Sequence, residues 1–313
     1  MKEIKNILIC GAGMMGKNIG YVFASNPSFQ VGMYDLYPTD VEAGIRTNTR
    51  QLLDKGVITE QELSDRLSRI SFTNDIDSDL VKNADLVIEA VFEDMKIKRE
   101  TFAKLEARCR PDTIFCTNSS VMSPSEISAE LQHRERFVGT HFWNPPFLIP
   151  LVEVVRTADV SDHAVDAVCD VLREAGKKPI VVKKDVPGFI ANRMQNALGR
   201  EAVSIIANGI ADPKDVDDAV KYSFGMRLGT IGPIEQIDAI GADLCLSISS
   251  YLYSYLEDSH EPSPLLKEKV ERGELGFKTG GVGMQTWTAE EMKAYNDGLI
   301  TNLIKVGKAL ERF

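Results

Sequence analysis

No stretch of this sequence approaches the roughly 18 uninterrupted apolar residues of a membrane-crossing helix, so a water-soluble protein is expected. Cysteine is sparse: Cys10, Cys109, Cys116, Cys169 and Cys245 are scattered, odd in number and free of C-x-x-C or Cys/His zinc spacing. That excludes a disulfide framework and a zinc module, leaving reduced, mostly buried thiols and no metal. Positive charge is in deficit, with 36 Lys plus Arg against 46 Asp plus Glu, a net charge of −10. Such a field repels polyanions, so neither nucleic acid nor an anionic membrane is an expected partner. After a polar start only the four apolar residues 7–10 follow, too few for a signal-peptide core, and a cytoplasmic protein is expected.

What is present is ordinary folded composition, 43% apolar and 26% charged, and 313 residues suggest about two domains. Short β-rich runs at 7–10, 31–34, 86–90, 113–116, 137–140, 151–155 and 180–182 alternate with longer amphipathic stretches. The alternation predicts an α/β fold, a doubly wound, mainly parallel sheet covered on both faces. Helix starts are legible at Thr59-x-x-Glu62 and at Ser123-Pro124-Ser125-Glu126, each a capping box. Gly176 should stop a helix begun near Ser161, and Asp185-Val186-Pro187-Gly188 should open one running to Asn208-Gly209. Beyond it, proline and glycine divide helical segments with no convincing strand. The expected division is a sheet domain over 1–184, which the next motif makes a dinucleotide-binding one, and an all-helical domain over 185–313 suited to closing a cleft and forming a homodimer.

Gly11-Ala12-Gly13-Met14-Met15-Gly16 follows the first predicted strand and opens a helix, the setting in which G-x-G-x-x-G reads as a dinucleotide fingerprint. The first glycine turns the chain, the second lets backbone N–H groups approach a pyrophosphate, and the third packs helix on strand. The second predicted strand ends at Tyr34-Asp35, about 20 residues on, where a carboxylate accepts from both ribose hydroxyls. A 2′-phosphate would meet like charge there, so NAD is expected over NADP. The bland alternative is a glycine-rich turn that binds nothing.

Of four histidines, His141 stands apart: it closes the run 137–140 and begins His141-Phe142-Trp143-Asn144-Pro145-Pro146, whose prolines force the chain out of the sheet near the ligand crevice. Glu153 interrupts the apolar run 151–155, where an unpaired carboxylate is costly to bury. A histidine is its natural partner. Pairing would fix the imidazole tautomer and stabilise the imidazolium formed when His141 takes a proton. The alternative for His141 is a core histidine satisfied by its neighbours.

These motifs, with Glu89-Ala90-Val91-Phe92-Glu93-Asp94, Lys98, Asn118-Ser119-Ser120, Leu151-Val152-Glu153-Val154 and Asp185-Val186-Pro187-Gly188-Phe189-Ile190-Ala191-Asn192-Arg193, resemble the 3-hydroxyacyl-CoA dehydrogenase family over nearly the whole chain. The resemblance implies a Rossmann domain, a helical domain that dimerises, and NAD-linked oxidation of an L-3-hydroxy group to a ketone. It makes His141 the general base oriented by Glu153, gives Ser120 and Asn192 the substrate oxygens, and adds Asn144 at the substrate. It puts Glu93 and Lys98 on the nicotinamide side, and Met14, Met15 and Asn118 with the glycines and Asp35 at the cofactor. Without the resemblance, Ser120 reads as a helix or turn cap and Asn192 as a solvent-facing amide.

Two departures bear on substrate. Trp143 and the loop Asn144-Pro145-Pro146-Phe147-Leu148-Ile149-Pro150, and the long turn from Gly225 through Arg227 to Gly232-Pro233, are nearer to free-acid members such as L-gulonate dehydrogenase, L-carnitine dehydrogenase and a pyridoxine-degradation dehydrogenase. A planar guanidinium at Arg227 can hold a free carboxylate bidentately, and a thioester has no charge there. The alternatives are that Arg227 caps the preceding helix or pairs with a surface acid. Around Lys55, where CoA-using members carry several lysines, one remains beside an acid. A small free 3-hydroxy acid is therefore expected, with a short 3-hydroxyacyl-CoA as the alternative. A non-catalytic crystallin-like or NAD-sensing protein is a reading of another class, against which the ionisable pair and polar cleft argue.

Overall fold

Apolar runs too short for helices make the sheet. In the computed structural model, which describes residues 4–312, the strands are β1 (Asn6–Cys10), β2 (Gln30–Tyr34), β3 (Ile70–Thr73), β4 (Leu86–Glu89), β5 (Ile114–Thr117), β6 (Phe137–Phe142), β7 (Leu151–Val155) and β8 (Lys178–Val182). They form one sheet in the order β3-β2-β1-β4-β5-β6-β7-β8. Neighbours pair in parallel except β6 and β7, which are antiparallel. The strand order reverses between β1 and β4, and the crevice at the carboxyl ends of those strands is where doubly wound sheets hold ligands. β3 has no counterpart among the expected strands: it is a four-residue edge strand with only Ile70 and Phe72 as large apolar residues, none of its positions fully buried.

Helices α1 (Met14–Phe23), α2 (Val41–Asp54), α3 (Glu60–Leu67), α4 (Asp79–Lys82), α5 (Met95–Glu106), α6 (Pro124–Ile127) and α7 (Asp162–Glu174) join the strands. Phe102 of α5 meets Phe115 and Phe137 edge-on, with centroids 6.1 and 4.7 Å away, inside a cluster that includes Leu8, Cys10 and Val87. Thr59 and Glu62 form the full capping box of α3. At α6 the box is only half made: Ser123 accepts from Glu126 N and donates instead to the Asp185 carboxylate.

The chain divides into two compact units, one reaching to Ala191 and the other Asn192–Arg312. The turn 185–191 therefore belongs with the sheet rather than with the helical part, and α8 (Ala191–Ala207) begins six residues later than Asp185. Gly188 (φ 75°) and Phe189 (φ 49°) both take left-handed backbone, which no helix continues. A phenylalanine tolerates that conformation because its ring is buried, packed with Val155 and Val182. The second unit continues through α9 (Pro213–Lys221), α10 (Phe224–Leu228), α11 (Pro233–Ile240), α12 (Ala242–Leu252), α13 (Pro264–Glu271) and α14 (Ala289–Ala309). Its only β pairing among the described residues is two isolated bridges, Gly276 with Val282 and Val282 with Thr286. No described helix is long and apolar enough to cross a membrane.

Candidate functional site

The antiparallel register of β6 and β7 sets His141 directly opposite Glu153. His141 Nδ1 lies 2.8 Å from Glu153 Oε2, with His141 5% exposed and Glu153 fully buried. A carboxylate only accepts, so Nδ1 carries the hydrogen and Nε2 keeps the basic lone pair. The other oxygen, Oε1, accepts from Ile190 N (2.9 Å) and Ala191 N (3.0 Å). Burial pushes the Glu153 carboxyl up, but the His141 hydrogen bond and these two amides outweigh it and hold the group below its ordinary value. Trp143 and Phe189 flank the imidazole at 5.5 and 5.7 Å, and the Trp143 indole N–H adds a 3.4 Å contact to Oε2. The pair is an oriented base able to take a proton at Nε2.

At the end of β1, Gly11 has φ 105°, and a Cβ there would lie 2.6 Å from Ala90 O. A Cβ on Gly16 would lie 1.8 Å from Gly11 O, whereas one on Gly13 would meet nothing within 4 Å. The loop is thus packed tight behind and open in front at Gly13. The start of α1 has no side-chain cap and no acid in its first turn, with Met14 exposed and Met15 half-buried. Uncapped N–H groups at an open helix start suit a pyrophosphate. Asp35, just past β2, accepts from Ala12 N (2.7 Å, Oδ2) and Tyr37 N (3.2 Å, Oδ1), leaving one lone pair on each oxygen for a ribose.

Beyond β4 and β5, Glu93, Lys98, Ser119 and Ser120 form one network. Glu93 Oε1 accepts from the Ser119 hydroxyl and from Ser120 N (3.2 Å). Burial raises the Glu93 carboxyl, but the Ser119 hydrogen bond and the Lys98 ammonium bring it below its ordinary value. Lys98 is 1% exposed and its ammonium is spent on Glu89 (2.7 Å) and Glu93 (3.2 Å), so it reaches the crevice only through Glu93. Asn118 Oδ1 accepts from Phe142 N (2.9 Å), bracing β6. Asn144 is exposed on the loop after β6, and Lys177, half-buried and with its pKa pushed down to about 8 by desolvation, holds this loop through Pro146 O and Ile149 O. Asn192 is the second residue of α8, in the other unit. Arg227 is exposed in the last turn of α10, and no carboxylate among the described residues pairs with it.

Glu89 and Lys177 join the site without having been expected in it, and Trp143, read from the sequence only as a departure bearing on substrate, packs beside the imidazole. Glu89 carried a usable signal: it interrupts the apolar run 86–90 as Glu153 interrupts 151–155, with a lysine nine residues on to pair with it.

Comparison with known proteins shows the family. The family model described as 3-hydroxyacyl-CoA dehydrogenase, NAD binding domain, matches residues 6–186, and that of the C-terminal domain matches 188–285. The chain is 34% identical over 313 residues to 5-formyl-3-hydroxy-2-methylpyridine 4-carboxylate 5-dehydrogenase of Mesorhizobium japonicum, covering 98% of this chain and 99% of that one. It is 38% identical to a probable 3-hydroxybutyryl-CoA dehydrogenase of Bacillus subtilis over 282 residues, 89% of this chain and 96% of that one. Among solved structures it is similar to a 5-formyl-3-hydroxy-2-methylpyridine 4-carboxylic acid 5-dehydrogenase described as an NAD+ dependent dismutase, with TM-score 0.89, 34% identity and 99% of both chains covered. The (S)-3-hydroxybutyryl-CoA dehydrogenase of Ralstonia eutropha gives a TM-score of 0.74 at 31% identity, covering 91% of this chain and all of that one.

The pKa directions fix a sign. Glu153 and Glu93 are held below the ordinary 4.5, so their contribution to stability is fully present above about pH 4.5 and is lost as pH falls through the lower folded values. Urea unfolding at several pH values should show stability falling below pH 4.5, less steeply in Glu93→Gln; the same slope in both proteins would contradict the assignment for Glu93.

Proposed function

Because the chain belongs to the 3-hydroxyacyl-CoA dehydrogenase family and is an NAD-dependent dehydrogenase, we propose that it oxidises the 3-hydroxy group of a small free acid, with His141 as the base. The observation that carries this reading is the buried His141–Glu153 pair, held at 2.8 Å with Nε2 left free. Bound NAD supplies the hydride acceptor. His141 Nε2 takes the hydroxyl proton, and Glu153, fixed by two amides, stabilises the imidazolium. Ser120 and Asn192 hydrogen-bond the substrate oxygens, and Asn144 lines the same site. Gly11, Gly13, Gly16, Met14, Met15 and Asp35 hold the pyrophosphate and adenosine ribose, Asn118 and Glu93 serve the nicotinamide side, and Lys98 buttresses Glu93.

A free carboxylate is favoured over a thioester because Arg227 is an exposed guanidinium with no carboxylate partner of its own among the described residues. The similarity over the whole chain to an enzyme named for a pyridine carboxylate supports the same choice. A short 3-hydroxyacyl-CoA is the second reading, supported by the 38% identity to the Bacillus relative. Five free cysteines fit the reducing cytoplasm as its location.

The protein acts as a homodimer through its second unit in this reading. Val216 and Ile304 are the large apolar side chains buried in that unit among the described residues, whereas Ile234, Leu244, Leu246, Tyr251 and Tyr255 are exposed. So little core does not stabilise over a hundred ordered residues, and a second copy of the same helices supplies the missing burial.

NADH formation across 3-hydroxybutyrate, carnitine, gulonate and 3-hydroxybutyryl-CoA tests the substrate class, with a free acid expected to give the highest kcat/KM. On that substrate His141→Gln should lower kcat by about 10²–10⁴ while NAD affinity stays near wild type; retention of most of the rate would assign the base elsewhere. Arg227→Met should raise KM for the acid about ten- to hundredfold, and strong CoA-ester turnover untouched by the change would favour the second reading. Sedimentation should give a dimer that Leu246→Arg shifts toward monomer; a wild-type monomer at micromolar concentration would remove the dimer proposal.

A further inference from the structure

The charge cluster at the end of β4 takes no part in the proton transfer, yet it bears on the cofactor. Glu89 is fully buried, and one ammonium, that of Lys98, serves both it and Glu93. The other partners of Glu89 are Val91 N (2.7 Å) and the Thr117 hydroxyl (2.7 Å), whose oxygen in turn faces Ser119 N (3.3 Å). Burial pushes the Glu89 carboxyl above its ordinary value, and the Lys98 ammonium, the Thr117 hydroxyl and the Val91 amide oppose that shift. All three partners point hydrogens at its oxygens, the arrangement a carboxylate accepts, and with Glu89 ionised the three groups together carry one uncompensated negative charge. Their position follows from the sheet. Ala90 N donates to Cys10 O (2.7 Å), and Gly11 packs against Ala90 O, so the loop bearing Glu93 abuts the glycine loop on the side away from β2 and Asp35. A dinucleotide with its adenosine ribose at Asp35 and its pyrophosphate at the glycines runs its nicotinamide toward that loop.

We propose that the Glu89–Lys98–Glu93 cluster shifts the site's relative affinity toward oxidised and away from reduced cofactor, with Glu93 facing the ring and Glu89 setting how much of the Lys98 charge is left to neutralise it. The inference rests on the NAD reading above. In the reaction R2CHOH + NAD+ → R2CO + NADH + H+ the ring gains a hydride and loses its positive charge. A fixed negative charge beside it stabilises only the oxidised form. The gain is in NAD+ capture and NADH release, and the opposing effect falls on the hydride-transfer equilibrium of the bound species.

The test is calorimetric titration of NAD+ and NADH into the full-length protein and into Glu93→Gln, Glu93→Asp and Glu89→Gln, each checked for fold by circular dichroism. The ratio Kd(NADH)/Kd(NAD+) should fall about three- to tenfold in Glu93→Gln. It should fall in the same sense in Glu89→Gln, whose side chain is sealed from any ligand, and stay near wild type in Glu93→Asp, which keeps the charge and alters the contact. An unmoved ratio in Glu93→Gln, an equal fall in Glu93→Asp, or an unmoved ratio in folded Glu89→Gln each overturns the proposal. If Glu89→Gln does not fold, the two Glu93 variants decide. Failure of the wild-type protein to bind either cofactor would instead strike the NAD reading itself.

Discussion

The Glu153 carboxylate is the point on which the site depends. A fully buried carboxylate is among the costliest groups to place in a protein interior, and it persists only where its lone pairs are met by donors. Here Oε2 takes the imidazole and Oε1 takes two consecutive amides at the entrance to α8. The same group therefore orients the proposed base and fixes the left-handed turn at Gly188 and Phe189. Losing it would leave two amides and an imidazole N–H without an acceptor at once, so its removal should be felt in folding as well as in turnover.

The pairing of β6 with β7 is what makes this contact possible. In an otherwise parallel sheet these two strands run antiparallel, which puts residue 141 face to face with residue 153. A slip of one residue would send both side chains to opposite faces and bury the carboxylate unpaired, so the pair enforces the register as firmly as the register makes the pair. The short return between the strands is held in turn by Lys177, whose half-buried ammonium is met by backbone carbonyls and by no carboxylate among the described residues.

Much of this was legible in the chain because it follows from local rules. The glycine loop announces itself by spacing and by the strand before it, and Glu153 by standing in an apolar run beside a strand that ends in histidine. What escaped was set by tertiary context. β3 is an edge strand, too short and too exposed to show an apolar pattern. The start of α8 was misplaced because Pro187 and Gly188 look like a helix opening, while burial of the Phe189 ring and the pull of Glu153 on the next two amides make a turn of them. Lys98 looks in sequence like a cation near the cofactor; the acid in the run 86–90 hints at a partner for it, and the fold shows Glu89 and Glu93 sharing its ammonium. The second unit is hardest to read because its helices carry apolar residues on faces that this chain alone does not cover.

The two buried acids are not independent. Asn118 N donates to Glu89 O at 2.9 Å, and its side-chain Oδ1 accepts from Phe142 N, also at 2.9 Å. One residue thus joins the backbone carrying the negative cluster to the backbone next to His141. Proton removal and hydride departure must occur at neighbouring atoms of one substrate, so the proposed base and the nicotinamide side must keep a fixed separation. Strands β4, β5 and β6 already hold that separation through their ladders, and Asn118 pins it at the open ends, where ladders stop and strands are freest to splay. The amide is suited to this because it accepts with its side chain and donates with its own backbone, spanning two neighbouring strand ends with one residue. A serine at that position is too short to reach Phe142 N, and an aspartate would bring a further acid beside Glu89 and Glu93.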